Sequence, residues 1–158
     1  MLYSTRTADA VHILVLIALA DSPVTSQSLA TSIATNPAHI RKLMSFLRKG
    51  GLLQTSRGKA EPVLTRKPEE ITLWDIYQIM ENTTQILHLD THTNLDCHEG
   101  VHIQLALQEN YDHLQHQFEQ EMQQITLQKI IEDYQARLKE TEERESLREG
   151  AGSESAAE

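Results

Sequence analysis

Apolar residues between positions 25 and 49 recur every three or four places, a pattern that predicts two short helices joined by a tight turn. Thr25 is suited to the N-cap of the first helix, and Asn36 and Pro37 are suited to the N-cap and first position of the second. Gly50–Gly51 is expected to end the second helix. The positions expected to point inward are Leu29, Ala30 and Ile33 in the first helix and Ile40, Leu43, Met44 and Leu47 in the second.

The opposite face of the second predicted helix is polar and rich in cations. The side chains left facing outward are Ala38, His39, Arg41, Lys42, Ser45, Arg48 and Lys49. Two short helices with a cationic face on the second form the layout of a helix-turn-helix, whose second helix enters the major groove of DNA. The alternative is that these cations are ordinary solvated surface residues.

Charge is divided unevenly along the chain. Residues 1–68 carry nine Lys/Arg and three Asp/Glu, a net charge of +6, whereas residues 69–158 carry five and twenty, a net charge of −15. A polyanion is attracted to the first part and repelled by the second, so this distribution favours a nucleic acid as partner and a single docking orientation.

Two short β-compatible runs follow the second predicted helix and indicate a wing. The predicted strands are Leu52–Ser56 and Val63–Arg66, and the hairpin between them carries Arg57 and Lys59. A wing of this type can place an arginine in the minor groove, where a narrow groove deepens the negative potential. The alternative is an ordinary surface turn.

Two further helices complete the predicted winged domain. The run Val11–Ala20 is apolar nearly all round, which predicts a central buried helix, and it is shorter than the roughly 20 residues that a membrane span needs. Thr72 and Asp75 form a capping-box pattern before another apolar stripe. The single cysteine excludes an intramolecular disulfide framework and favours a reducing cytoplasm. We therefore expect a mainly α fold with a small β-wing.

A long helix is predicted after residue 102, with one apolar stripe that keeps an eleven-residue rhythm and therefore stays on one face. We expect this stripe to form a dimer interface; packing against its own domain is the alternative. Thr126 can cap a final helix, and the acidic tail is expected to be partly disordered. The residues of the stripe are Ile103, Leu107, Tyr111, Leu114, Phe118, Met122 and Ile125.

The order of these elements resembles that of the Rrf2 family of bacterial winged-helix transcription regulators. The resemblance covers roughly residues 1–135, and its most distinctive segment is 64–77. It implies a homodimer that binds a palindromic operator, with one winged domain in each half-site. Glu61 departs from the usual wing tip of the family and adds a negative charge where phosphates approach. The positions that match the recognition helix and wing cation of the family are Ala38, His39, Arg41, Lys42 and Arg57.

Family members that hold an iron–sulfur cluster use three cysteines before the dimer helix. This chain has Cys97 alone, with Ile103 and Glu109 at the comparable spacings. Because cluster iron needs thiolate or imidazole ligands, we expect neither a cluster nor another cofactor.

Residues 85–101 are expected to link the winged domain to the long helix and to contain any sensor. Cys97 lies near the predicted helix start, where a thiol ionises more readily, so a response to thiol modification is one hypothesis. An inert Cys97 is another, and a small molecule in a pocket between the winged domain and the long helix, with Cys97 as a bystander, is a third. Four histidines surround Cys97, and imidazole and thiolate bind zinc, copper and nickel, but their spacing fits no established zinc pattern, so a metal-responsive regulator stays an alternative. These histidines are His88, His92, His98 and His102.

The residues favour a regulator over an enzyme, because no catalytic triad order and no phosphate-binding glycine loop is present. We therefore predict a cytoplasmic, dimeric DNA-binding repressor, and a protein-docking winged helix that does not bind DNA is the alternative. The predicted parts are a winged helix-turn-helix domain over 1–84, a linker over 85–101, dimerisation helices over 102–138 and the acidic tail over 139–158.

Overall fold

The computed structural model describes residues 4–56, 61–81, 83–89, 92–94 and 96–154, with side chains as far as residue 146. Within these residues the mainly α fold with a small wing is confirmed, and none of the helices has the length and hydropathy needed to cross a membrane. The helices are α1 (Arg6–Leu19), α2 (Ser26–Ile33), α3 (Pro37–Lys49), α4 (Leu73–Met80), α5 (His98–Gln124) and α6 (Leu127–Glu154). A 3-10 turn spans Pro68–Glu70, and the strands are β1 (Leu53–Thr55) and β2 (Pro62–Leu64).

The caps of α2 and α3 fix the helix-turn-helix in the form that the sequence predicts. Thr25 Oγ1 accepts a 3.1 Å hydrogen bond from the backbone N–H of Ser28, and Asn36 Oδ1 accepts one of 2.8 Å from that of His39. The turn between the helices passes through Ala34, which adopts the left-handed conformation with φ of 56°. An alanine pays a steric cost there that glycine would not.

The core lies between α1 and the helix-turn-helix, as expected for an α1 that is apolar nearly all round. All four inward positions predicted on α3 are buried, and on α2 Leu29 and Ala30 are buried while Ile33 is half-buried. The fully covered side chains that dominate this core by volume are Ile13, Leu14, Leu29, Ile40, Leu43, Leu47, Leu52, Ile71, Ile76, Met80 and Leu127.

The wing is a short antiparallel hairpin in which Leu53 faces Leu64 and Thr55 faces Pro62. Both strands are shorter than predicted, and their paired residues run from Leu53 and Leu64 to Thr55 and Pro62. A further backbone hydrogen bond of 2.9 Å, from Ser56 N–H to the carbonyl of Glu61, extends the hairpin towards its tip.

The junction between α5 and α6 is fastened to the segment that enters α4. The N–H of Leu73 donates to the carbonyl of Ile125, and the N–H of Leu127 donates to the carbonyl of Ile71, each over 2.8 Å. Leu127 and Ile131 are buried in the core of the winged domain. The first two turns of α6 therefore belong to that core rather than to a separate dimerisation unit.

Side-chain caps again set the starts of α4 and α6. Thr72 Oγ1 accepts from Asp75 N–H over 3.1 Å, while the carboxylate of Asp75 accepts from Thr72 N–H over 3.0 Å, which is the predicted capping box. Thr126 Oγ1 accepts from the N–H of Lys129 over 3.1 Å. Beyond this cap α6 continues to Glu154, so the acidic tail extends the helix that far, and the end predicted as disordered, residues 155–158, lies outside the described residues.

An aromatic cluster holds α5 against α4. The Phe118 ring packs edge-on against Tyr77 and Trp74, with centroid distances of 5.6 and 6.4 Å, and Trp74 and Tyr77 stack on each other at 5.7 Å. Burial, and secondarily the carboxylate of Glu81, raises the pKa of Tyr77 above its ordinary value. The C-terminal half of α5 is thus part of the same folded unit as the winged domain.

Candidate nucleic-acid interface

The outer face of α3 presents Arg41 and Lys42 to solvent, opposite the fully buried face of the same helix. Ala38, one turn earlier, is also exposed. Arg41 Nη1 donates a 3.4 Å hydrogen bond to Ser26 Oγ at the start of α2, which directs its guanidinium along the surface shared by the two helices. A DNA major groove is wide enough to admit an α-helix, and contact of both cations with DNA stays a prediction.

Three other cations of the winged domain lie at the end of α3 or are paired within the chain. Arg48 and Lys49 are exposed in the last turn of α3, where positive charge complements the helix dipole. Arg66 is engaged within the chain: Nη2 lies 3.6 Å from the Asp75 carboxylate, and Nη1 donates to the carbonyl of Glu70 over 3.2 Å. Arg41 and Lys42 are therefore the cations best placed for groove contact among the described residues of α3.

His39 is placed differently from the outward position that the sequence predicts. Its Nε2 lies 3.1 Å from Asp9 Oδ2, and the two side chains are only 31% and 19% exposed. The ring therefore leans towards α1 and braces the start of α3 against it. Ser45, also expected to face outward, is half-buried. Helical spacing alone could not show that Asp9 draws the imidazole inward, because the two residues are 30 positions apart.

The two wing cations, Arg57 and Lys59, lie outside the described residues. The hairpin stems that flank them are in place, and half-buried Glu61 is paired through its carbonyl with Ser56. Their contact with DNA stays a prediction.

The apolar stripe of α5 is divided lengthwise into two edges. Successive residues of an α-helix are turned by about 100° around its axis, and four stripe positions fall within about 40° of one another: Ile103, Leu107, Leu114 and Ile125. The remaining stripe positions lie to one side of these four. The first edge is exposed, by 59% at Ile103, 50% at Leu114, 36% at Leu107 and 37% at Ile125. The second edge, Phe118, Tyr111 and Met122, is half-buried, and Phe118 packs on the aromatic cluster of α4.

The alternative, packing of this helix against its own domain, thus applies to the half-buried edge. Phe118 was predicted to lie in the dimer interface, but its ring packs on Trp74 and Tyr77 of its own chain. Leu105 was not singled out from the sequence although it is 58% exposed, because it lies off the stripe. The assignment of the exposed edge to a dimer interface stays a prediction.

Cys97 is the N-cap of α5. Its Sγ accepts a 3.4 Å hydrogen bond from Gly100 N–H and lies 3.6 Å from the Glu99 carboxylate. Of the four neighbouring histidines, His98 and His102 come together, with ring centroids 4.1 Å apart. No group of three or more His, Cys, Asp or Glu able to hold a metal ion is found in the part of the chain that the structure describes.

A cleft of about 470 Å³ lies between the corner that joins α1 to α2 and the side of α6. Its position differs from the expected place beside α5. Nothing in the cleft identifies a ligand, so an effector stays a prediction. The apolar lining comes from Leu16, Leu19, Pro23, Val24, Leu29 and Tyr134.

The fold, the capped helix-turn-helix and the cationic outer face of α3 together define a winged-helix DNA-binding regulator. The chain belongs to the Rrf2 family: the family model, described as an iron-dependent transcriptional regulator, matches residues 3–133. YwnA of Bacillus subtilis (strain 168), described as an HTH-type transcriptional regulator, is 30% identical over 128 residues, which are 81% of this chain and 96% of YwnA. The resemblance seen in the sequence is confirmed, and the protein is a transcription regulator and not an enzyme.

Solved structures agree with this assignment. A crystal structure described as a DNA-binding protein superposes with a TM-score of 0.64 at 30% identity, covering 80% of this chain and 98% of the other. CymR of B. subtilis, described as the global cysteine regulator, superposes with a TM-score of 0.64 at 20% identity, covering 84% and 97%. The second similarity shows the shared fold alone.

That the chain holds no iron–sulfur cluster, unlike some members of the family, stays a prediction. Cysteine thiolates are the usual ligands of such clusters, and this chain has one cysteine. The Sγ of that residue, Cys97, is used to cap α5.

Proposed function

We propose that the protein is a homodimeric repressor that binds a palindromic operator, with α3 of each protomer in the major groove of one half-site. The observation that carries the DNA contact is the exposed pair Arg41 and Lys42, which projects from a helix whose other face is locked in the core. A rigid, cationic helix of this kind can satisfy both phosphate contacts and base contacts. A cytoplasmic location follows from this proposed partner.

The exposed edge of α5 supports the dimer. Ile103 and Leu114 are separated by eleven residues, or about 16 Å along the helix axis, and both are at least half exposed. A second copy that packs edge to edge would remove these side chains from water at roughly 25 cal/mol for each Å² of apolar surface. The second edge of α5 cannot form this interface, because Phe118 already packs on Trp74 and Tyr77.

We further propose that the regulator works without an iron–sulfur cluster and responds to modification of Cys97. The supporting observation is the hydrogen bond from Gly100 N–H to Sγ at the first turn of α5. An adduct on sulfur would compete with that bond and perturb the start of the helix. Alkylation should then weaken operator binding in the wild type and leave Cys97→Ser unchanged; equal loss in both proteins would contradict this part of the proposal.

The test of the DNA contact begins with selection of a binding sequence from a random duplex pool. Affinity for the selected duplex is then measured by fluorescence anisotropy for Arg41→Ala/Lys42→Ala. The matched control, Lys129→Ala/Arg137→Ala, removes the same charge from the exposed side of α6. Each lost phosphate contact should flatten the dependence of log K on log salt by about 0.9, and each lost base contact should cost about 1–3 kcal/mol.

The two variants must differ for the proposal to stand. The α3 variant should lose affinity while keeping its thermal stability, and the α6 variant should bind as the wild type does. Equal losses would show that only net charge matters, and an unchanged affinity of the folded α3 variant would remove that helix from the interface.

A further inference from the structure

The first turn of α5 carries two histidines four residues apart, in the sequence His98-Glu99-Gly100-Val101-His102. Residues at i and i+4 of an α-helix lie on one face, one turn apart. The prediction that the histidine spacing fits no established zinc pattern is wrong for this pair, because the same spacing, with a glutamate after the first histidine, is the arrangement by which helices bind zinc through paired imidazoles. None of the interactions described for DNA binding or for the dimer uses these two side chains.

The two imidazole rings of this pair lie side by side on the surface of α5. Both side chains are exposed, and the ring centroids of His98 and His102 are 4.1 Å apart with an interplanar angle of 32°. Two nitrogens that bind one zinc at about 2.0–2.1 Å in tetrahedral geometry lie about 3.3 Å apart. To share one ion, the two rings must therefore turn so that one nitrogen of each faces the same point.

The tautomer of His102 is fixed by the backbone. Nδ1 of His102 lies 2.7 Å from the carbonyl oxygen of His98, and because a carbonyl only accepts, Nδ1 carries the proton. In the neutral ring, Nε2 is then the nitrogen that carries the lone pair. Metal-binding histidines characteristically donate their other ring N–H to a carbonyl or carboxylate in this way, which orients the ring and raises the basicity of the ligating nitrogen.

We propose that His98 and His102 form a binding site for a divalent late transition ion, with Zn²⁺ or Cu²⁺ as the chemistry that paired imidazoles favour. Water completes the coordination, because the described residues offer no group of three metal ligands here. A hydrolytic zinc site needs three protein ligands, so the spacing indicates binding and not hydrolysis. The exposed carboxylates of Asp96 and Glu99 offset the positive end of the α5 dipole, which by itself opposes a cation.

The test titrates Zn²⁺ into the full chain and measures the heat of binding. The wild type should take up one ion per chain in a saturable step, and His98→Gln or His102→Gln should weaken that step by about tenfold or more, since loss even of a partner outside the ligand set commonly costs that much. The control His113→Gln/His116→Gln changes two other exposed histidines of α5 and should bind Zn²⁺ as the wild type does.

Two further variants separate this site from its neighbours. Cys97→Ser should keep the affinity for Zn²⁺, because the proposed ligands are both imidazoles. His88→Gln should keep it as well. The proposal is overturned if the wild type shows no saturable uptake, if either histidine variant binds as the wild type does, or if Cys97→Ser or the His113→Gln/His116→Gln control abolishes binding.

Discussion

The aromatic cluster between α4 and α5 gives the sharpest prediction about the fold. Phe118→Ala removes the ring that packs edge-on against both Trp74 and Tyr77. The matched control is Leu138→Ala, which truncates a side chain of α6 that is 43% exposed and outside the core. The two substitutions compare an apolar residue that fastens α5 to its own domain with one that lies outside the core of that domain.

The expected loss follows from the contacts of Phe118. Truncation of a fully buried phenylalanine costs about 3–5 kcal/mol, and each edge-to-face aromatic pair contributes about 0.5–1.5 kcal/mol beyond buried area. Because Phe118 is half-buried, we expect a loss of about 2–4 kcal/mol in the free energy of unfolding per protomer. For a chain of this size that corresponds to a fall of roughly 5–15 °C in Tm. Leu138→Ala should stay within about 0.5 kcal/mol of the wild type.

Urea unfolding followed by tryptophan fluorescence measures this directly, because Trp74 is the sole tryptophan and lies in the cluster. Both variants and the wild type are compared at one protein concentration, so that dissociation of a dimer contributes equally to each unfolding curve. Sedimentation gives the mass of each protein. A loss below about 1 kcal/mol for Phe118→Ala, together with dissociation into monomers, would show that Phe118 lies in the dimer interface and not against α4.

The remaining predictions concern the dimer, two local structures and pH. Leu114→Glu should place a charge in the exposed edge of α5 and yield folded monomers in sedimentation; an intact dimer would remove this edge from the interface. Ala34→Gly should raise the free energy of unfolding by about 0.5–1 kcal/mol by relieving the left-handed alanine, and a lowered urea midpoint would contradict this. Thr25→Ala should lower the free energy of unfolding by about 0.5–2 kcal/mol through loss of the α2 cap, whereas an unchanged urea midpoint would show that the cap does not stabilise the fold. Because burial raises the pKa of Tyr77 and an unfolded tyrosine titrates near 10, stability should fall as pH rises above about 10, and Tyr77→Phe should flatten that fall; parallel pH profiles would refute it.

The parts of the fold that were predictable from sequence are those that local chemistry determines. Asn36 and Pro37 start α3, and Thr72 with Asp75 starts α4, because a cap is satisfied within three residues of itself. The buried face of α3 followed from its spacing for a similar reason: one helix face was apolar throughout.

The parts that were not predictable depend on contacts between distant residues. The sequence shows Phe118 and Leu114 as members of one stripe, and only the placement of α4 divides them between an intrachain cluster and an exposed edge. In the same way Asp9 draws His39 away from the outer face of α3. The buried start of α6 depends on backbone hydrogen bonds to the segment before α4, which no periodicity indicates.

The proposal that two protomers read one operator is tested most directly by the stoichiometry of the DNA complex. Sedimentation of the wild type with a selected duplex gives the number of chains bound, and the same duplex with one half-site scrambled gives the dependence on symmetry. We predict two chains per duplex, half-sites whose centres are separated by about 34–36 Å or a multiple of it, and a steep loss of affinity when either half-site is scrambled. One chain per duplex, bound equally well to the intact and the scrambled sites, would contradict the account.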